Sequence, residues 1–184
     1  MASVLGGREL PMTEEAFLAF GETSERIELF DGSLYMTPAP TPRHQLISRQ
    51  LVFALHSAAR SAGLHVLEAV NVRLRPGRIP IPDLVITDDI DFDELVIDAV
   101  NVRLVCEIVS PSNASADKVL KMHYYAAAGI PWYLLVEQET GALHLYRNSG
   151  DTYLEHSVTG PGDVLKLTEP VEASIEPESL LPPR

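Results

Sequence analysis

Asp83 and Glu107 are the residues whose type and position in this sequence most directly suggest chemistry. Glu107 lies inside the apolar run "LVCEIV" (residues 104–109), and Asp83 directly precedes the apolar run "LVIT". An ionised carboxylate that is buried without a cation or hydrogen bonds costs several kcal/mol. We therefore expect Glu107 either to face a cleft at a strand end or to have a positively charged partner.

The two acids would converge if their strands are neighbours, and Lys121, in the helix predicted to follow, could lean in toward them. Two carboxylates with open coordination positions suit Mg²⁺, and the metal would supply the cation that Glu107 needs. A nearby ammonium stabilises charge that develops on a phosphate oxygen. This set predicts metal-assisted phosphodiester hydrolysis, with Asp83 and Glu107 as metal ligands and Lys121 as a catalytic residue.

Hydrophobic periodicity and turn residues predict the elements that must position these side chains. Thr13 is a plausible N-cap for a short helix, Asp31-Gly32 is a hairpin turn, and Gly63 closes a long amphipathic helix. The predicted order is helix 12–20, hairpin 26–37, helix 44–63, strands 64–76, 83–87 and 102–109, helix 115–128, and strands 132–137, 142–147 and 152–158.

This order predicts an α/β fold, with a mixed central β-sheet flanked by α-helices. The unit formed by residues 102–109, 115–128 and 132–137 is typical of a right-handed crossover between parallel strands. Cys106 should alternate to the face opposite Glu107 and act as a small buried hydrophobe. We predict a single domain over residues 1–184, with its core at about 12–150 and a loosely attached acidic tail within 151–184.

Composition limits the function classes. The 184 residues are 46% hydrophobic, enough for a core, and carry a formal net charge of −12, which argues against a nonspecific basic coat for nucleic acid. A local basic surface stays possible, because several arginines fall in the first half: Arg43, Arg49, Arg60, Arg73, Arg75 and Arg78. The single cysteine and the lack of a long apolar run or signal-peptide core predict a cytoplasmic protein with no membrane partner.

Four motifs in order resemble the Uma-two family of restriction-endonuclease-like proteins. They are Pro-Asp before a strand ("IPDLVIT"), "EIVSPS", Asp-x-x-x-Lys ("DKVLK"), and "YAAAGIP", with "IELFDGSLYMTPAPTPRHQLI" upstream. The resemblance covers roughly residues 12–150. It implies the PD-(D/E)xK nuclease fold, Mg²⁺ or Mn²⁺ as cofactor, DNA as substrate and a homodimer.

Residue by residue, the resemblance identifies Asp83 with the acid of the "PD" element and Glu107 with the acid of (D/E)xK. The usual lysine position, two residues later, is Val109 here, and Lys121 matches a lysine that has moved to the helix. Glu28 matches an acid in the hairpin, and His44 matches a family histidine; both are candidate site residues.

Simpler interpretations stay open. Asp83 could cap a turn, Lys121 could form an ordinary pair with Asp117 four residues earlier, Glu28 could lie on a solvated face, and His44 could be a polar residue at a helix start. For the whole protein, the main alternative to a DNA endonuclease is a catalytically weak or inactive nuclease-fold module for binding or assembly. Hydrolysis of another phosphoester would use the same carboxylates.

Overall fold

The computed structural model describes residues 2–3, 11–109 and 116–183. The helices are α1 (Glu14–Leu18), α2 (Pro42–Ser61) and α3 (Ala116–Ala127). The strands are β1 (Ala2–Ser3), β2 (Arg26–Phe30), β3 (Ser33–Thr37), β4 (His65–Glu68), β5 (Val72–Arg73), β6 (Arg78–Ile79), β7 (Leu84–Thr87), β8 (Ile97–Asp98), β9 (Val102–Val109), β10 (Trp132–Glu137), β11 (Leu143–Asn148), β12 (Tyr153–Thr159), β13 (Leu165–Leu167) and β14 (Ala173–Ile175). None of the described helices is long and apolar enough to cross a bilayer.

Threonine caps set the starts of the first two helices. The Oγ1 atom of Thr13 accepts a hydrogen bond from the backbone N–H of Ala16 at 3.2 Å, as predicted for the N-cap of α1. Thr41 does the same for the N–H of His44 at 3.3 Å, and Pro42 stands at the first position of α2. Both arrangements satisfy helix N–H groups that have no intrahelical partner, and the second holds His44 in the first turn of α2.

The central sheet has the strand order β12-β11-β10-β9-β7-β4. Only β9 and β10 run parallel in it, and all other neighbours in this sheet are antiparallel. Helix α3 connects the parallel pair, as such a pair requires a crossover. The predicted mixed central sheet with flanking helices is therefore confirmed.

Helices cover the two faces of this sheet, which explains the continuous apolar runs in β7 and β9. On one face, Leu104, Cys106 and Ile108 of β9 pack with α2 side chains such as Leu51. On the opposite face, Val105 belongs to a second cluster with Tyr125, Ile130 and Tyr133. Cys106 is fully buried on the first face, as the alternation predicted.

The predicted hairpin forms the middle of a second sheet, with strand order β1-β3-β2-β6. Asp31 (φ 49°) and Gly32 (φ 86°) make its turn, and Leu29 lies opposite Leu34. A Cβ atom on Gly32 would lie 2.4 Å from the Cβ of Pro11, so the site requires glycine for space as well as for its backbone angle. Strand β6 pairs with β2 and leads the chain toward Asp83.

One predicted strand, residues 64–76, is wrong. The segment contains two strands, β4 and β5, which pair with β7 and β8 in different sheets. Ala69, between them, has a φ of 52°, which an extended strand cannot include. The apolar pattern continued through this turn because Val70 and Val72 still face a buried cluster.

The expectation of a loosely attached tail is also wrong. Strands β13 and β14 form an antiparallel pair, and residues 177–180 form a 3-10 turn behind it. Five apolar side chains of this segment are buried in the α2-side cluster: Leu165, Leu167, Val171, Ile175 and Leu180. The acidic residues among them, such as Glu172 and Glu176, are exposed and interrupt the apolar pattern in the sequence.

The tail should therefore contribute measurably to stability. Leu180→Ala should lower the free energy of unfolding by about 2–5 kcal/mol, because a fully buried leucine leaves a cavity when truncated. Leu154→Ala, at a position 60% exposed on β12, is the matched control and should change it by less than about 0.5 kcal/mol. Urea unfolding measures both, and equal effects would show that the tail does not pack as described.

Candidate active site

Glu107 is buried on the α3-side face of β9, and its positive partner is Lys121. The Oε1 atom of Glu107 accepts a hydrogen bond from the Tyr125 hydroxyl at 2.6 Å and lies 3.5 Å from the Lys121 Nζ. Burial, together with the negative charges of Asp83 and Glu28, raises the pKa of Glu107 to about 7, although Lys121 and Tyr125 act in the opposite direction. Glu107 is thus a carboxyl group that titrates near neutral pH.

Glu28 joins this group from the second sheet. Its Oε1 atom accepts hydrogen bonds from the Lys121 Nζ at 2.7 Å and from the backbone N–H of Ile81 at 2.8 Å. With only 1% of its surface exposed, Glu28 does not lie on a solvated face, and that alternative is excluded.

Lys121 reaches both acids from α3. Burial acts to lower the pKa of Lys121, but the charges of Glu107 and Glu28 outweigh it and raise that pKa above its usual value. The ammonium therefore stays charged between the two carboxylates. The side chain of Asp117, its alternative helical partner, lies outside the described residues.

Asp83 lies directly before β7, where the pairing of Leu84 with Cys106 brings it beside Glu107. Its Oδ1 atom accepts hydrogen bonds from the NH1 and NH2 groups of Arg26 at 3.1 and 3.2 Å. Its Oδ2 atom accepts one from the backbone N–H of Ile108 at 2.8 Å and lies 3.1 Å from the His44 Nε2. Burial alone would raise the pKa of Asp83, but these interactions with His44, Arg26 and Ile108 lower it to about 2.

His44 stands in the first turn of α2 and points one edge of its ring at Asp83. When the ring is neutral and Nε2 donates to the carboxylate, Nδ1 carries the lone pair. This Nδ1 is buried and has no hydrogen-bond partner within the described part of the chain, and the same holds for the Oε2 atom of Glu28. Each is a buried polar atom that a reactant could satisfy.

The five residues predicted from the sequence thus lie in one connected group, to which the structure adds Arg26 and Tyr125. Both could have been found from spacing. Arg26 precedes Glu28 by two residues on one strand and so shares its face. Tyr125 follows Lys121 by four residues on one helix and so lies beside it.

The acidic residues of the site are of the right type to bind a hard divalent cation, since Asp83, Glu107 and Glu28 offer carboxylate oxygens as ligands. Across residues 2–3, 11–109 and 116–183, no three His, Cys, Asp or Glu side chains are grouped to hold a metal ion. Three hydrogen bonds and the contact with the His44 Nε2 occupy the oxygens of Asp83, so a metal at Asp83 would have to replace one of these partners. The described donors contact Glu107 at Oε1, so its Oε2 atom could bind a metal ion without losing one of these hydrogen bonds.

Removing the ammonium should destabilise the protein in a pH-dependent way. Because the pKa of Glu107 rises from 4.5 to about 7 on folding, its ionisation opposes folding increasingly over this interval. Lys121→Met removes an attraction that lowers this pKa, so it should cost about 3–5 kcal/mol at pH 8 and less at pH 5, where Glu107 is protonated.

Urea unfolding at the two pH values measures the effect. The exposed Lys166, on β13, provides the matched control as Lys166→Met, which should cost little at either pH. A Lys121→Met cost that does not change between pH 5 and pH 8 would contradict the ion pair with Glu107.

Comparisons with known proteins agree with this architecture. The chain is similar to the crystal structure of a putative nuclease belonging to DUF820 from Anabaena variabilis ATCC 29413, with a TM-score of 0.74 over 92% of this chain and 97% of that one. Their sequences are 16% identical, so this likeness establishes the fold alone. No curated protein matches the chain.

The family comparison reaches further. A sequence profile described as "Uma2: Putative restriction endonuclease" matches residues 14–181, nearly the whole chain and including every residue of the candidate site. The resemblance found in the motifs is confirmed, and the chain belongs to the Uma2 family of restriction-endonuclease-like proteins.

Proposed function

We propose that this protein is a metal-dependent endonuclease that hydrolyses DNA phosphodiester bonds. The observation that carries the proposal is the burial of three carboxylates in one group. Glu28 and Glu107 hold the Lys121 ammonium between two sheets, and Asp83 lies beside Glu107. Three buried carboxylates are a costly arrangement for stability alone, and groups with strongly shifted pKa values cluster at functional sites.

Asp83 and Glu107 are the residues that would hold Mg²⁺ or Mn²⁺. Asp83 would give up one of its present partners to bind the ion. The ion, when bound, would supply a more acidic water and neutralise charge on the phosphate. Glu28 would act as a positioning residue, because it fixes the Lys121 Nζ at 2.7 Å and the backbone at Ile81.

The remaining steps fall to two side chains. Lys121 would donate a hydrogen bond to a phosphate oxygen and stabilise the negative charge that builds up there. His44 would accept the proton of the attacking water at Nδ1, while Asp83 holds its Nε2–H. An imidazole that a carboxylate orients in this way is a common general base.

A catalytically inactive binding or assembly module is the second candidate. Two observations favour it: both oxygens of Asp83 already have partners, and Val109 stands where a lysine is usual in this fold. Calorimetric titration with Mg²⁺ and Mn²⁺ separates the two, because an inactive module of this kind should bind neither ion at millimolar concentration. DNA as substrate, a homodimer and a cytoplasmic location stay predictions.

The central test is the loss of metal-dependent cleavage. Asp83→Asn and Glu107→Gln should each reduce the nicking of plasmid DNA in Mg²⁺ or Mn²⁺ by about 100-fold or more, because each removes a charged ligand from the site. Asp89→Asn and Glu155→Gln, at exposed positions, make the same chemical changes elsewhere and should keep full activity. Full activity in both site variants would refute the assignment.

Val109 allows a test of the displaced lysine. Because side chains alternate along β9, Val109 shares the α3-side face with Glu107. Lys121→Met should reduce the rate of cleavage by about 100-fold. Adding Val109→Lys to it should raise this rate again by about tenfold, because it returns an ammonium to the same face. Val109→Met in the same background is the control for size, and equal rates for the two double variants would argue against a catalytic role for Lys121.

A further inference from the structure

A cavity of about 350 Å³ adjoins the candidate active site. It lies beside α1 and the start of β2, and two of its lining residues, Arg26 and Ile81, also belong to the surroundings of Asp83. The NH1 and NH2 groups of Arg26 bind the Asp83 carboxylate, and NH2 also donates to the Ile81 carbonyl at 2.8 Å. Arg26 therefore both lines the cavity and binds Asp83, one of the proposed metal ligands.

One part of the cavity wall is apolar and aromatic, and polar side chains such as Glu22, Thr23 and Ser24 form much of the rest. Phe17 and Phe20 contact each other edge to face, with ring centroids 6.0 Å apart, and Ile27 extends the same wall. Within the described residues, the buried Nε of Arg26 and the buried Oδ1 of Asn71 have no hydrogen-bond partner. Two residues of the lining thus carry one unused donor and one unused acceptor.

The orientation of the Asn71 amide follows from its other contact. Its Nδ2 group donates to the Leu95 carbonyl at 3.0 Å, which leaves Oδ1 as the free acceptor. Arg26 is likewise held by its contacts with Asp83 and Ile81, so the direction of its Nε–H is fixed. Each group is thus held in place by its other contacts, with one polar atom left for a ligand.

The charges at the cavity disfavour an anion. Glu22 and Glu25 also line it, while the positive charge of Arg26 is compensated by Asp83. A phosphate or carboxylate would meet net repulsion here. A neutral, planar group with polar atoms on its edge matches the apolar wall, the two unused polar atoms and the sign of the charge.

We propose that the cavity receives one unstacked nucleobase of the substrate strand, next to the phosphate that is held at Asp83, Glu107 and Lys121. This inference rests on the proposed nuclease function. Enzymes that accommodate an unstacked base hold it by apolar or aromatic contact and by hydrogen bonds to its edge. The cavity volume falls within the range of about 300–1,000 Å³ that is usual for small-ligand sites.

The test uses 2-aminopurine fluorescence in EDTA, where a metal-dependent enzyme leaves the probe intact. The probe is a single-stranded octadeoxynucleotide with one central 2-aminopurine, compared with an octamer that has an abasic central position and with the free 2-aminopurine deoxyriboside. The wild type should change the fluorescence of the first octamer saturably. Asn71→Leu and Phe20→Leu should each raise its Kd by about fivefold or more, while leaving the affinity for the abasic octamer, measured by competition, unchanged.

Phe92→Leu, at an exposed phenylalanine that does not line the cavity, is the matched control and should bind like the wild type. Thermal unfolding verifies that the variants are folded. Equal Kd values for wild type, Asn71→Leu and Phe20→Leu would overturn the inference, and so would binding of the free deoxyriboside without any response of the octamer.

Plasmid cleavage in Mg²⁺ and Mn²⁺, measured in parallel, separates this inference from the proposed function. Cleavage by the wild type with no 2-aminopurine response overturns the base site alone. A variant-sensitive 2-aminopurine response without any cleavage supports the base site and overturns the endonuclease.

Discussion

The contact on which the rest of this structure depends is the Lys121 ammonium between the carboxylates of Glu28 and Glu107. Those three side chains come from α3, from the hairpin sheet and from the central sheet. Neither acid could stay ionised in its buried position without a cation, and the lysine could not stay buried without the acids. The contact therefore ties the two sheets together at one point and keeps charged groups inside the protein.

Asp83 and Glu107 show how neighbouring carboxyl groups acquire different properties from their surroundings. The donors around Asp83 hold its pKa at about 2, whereas burial beside other negative charges raises the pKa of Glu107 to about 7. At neutral pH the first is a permanent anion and the second exchanges protons readily. Such separation of two adjacent acids is the usual way in which one site combines a fixed charge with a proton-exchanging group.

The sequence predicted the central sheet and the three helices because these depend on local patterns. Asp83, Glu107 and Lys121 were named from such patterns and Glu28 and His44 only from the family resemblance, and the roles of all five stay predictions. Glu107 stood out through the apolar residues around it, and the hairpin through Asp31-Gly32. Arg26 was missed because an arginine at a strand start looks solvated until its long-range partner, Asp83, is known. The tail was misjudged for a related reason: its apolar residues are sparse, and the cluster that buries them includes α2, which is distant in sequence.

The turn at Ala69 marks another limit of local reasoning. Nothing in "LEAVNV" indicates a positive φ at an alanine, since this conformation is uncommon for residues with a Cβ atom. It is imposed by the pairing of β4 and β5 with strands of different sheets. Long-range pairing of this kind decides where Asn71 lies, and with it one wall of the cavity beside Arg26.

The burial of Leu165, Leu167 and Ile175 against α2 has a consequence for biosynthesis. During translation, α2 leaves the ribosome long before these residues do. Part of its apolar face therefore stays uncovered until the C-terminal segment has been synthesised. Contacts between segments this distant in sequence slow folding and prolong the exposure of aggregation-prone apolar surface. In a nascent chain of this protein, part of the apolar face of α2 should therefore stay uncovered until Leu180 has left the ribosome.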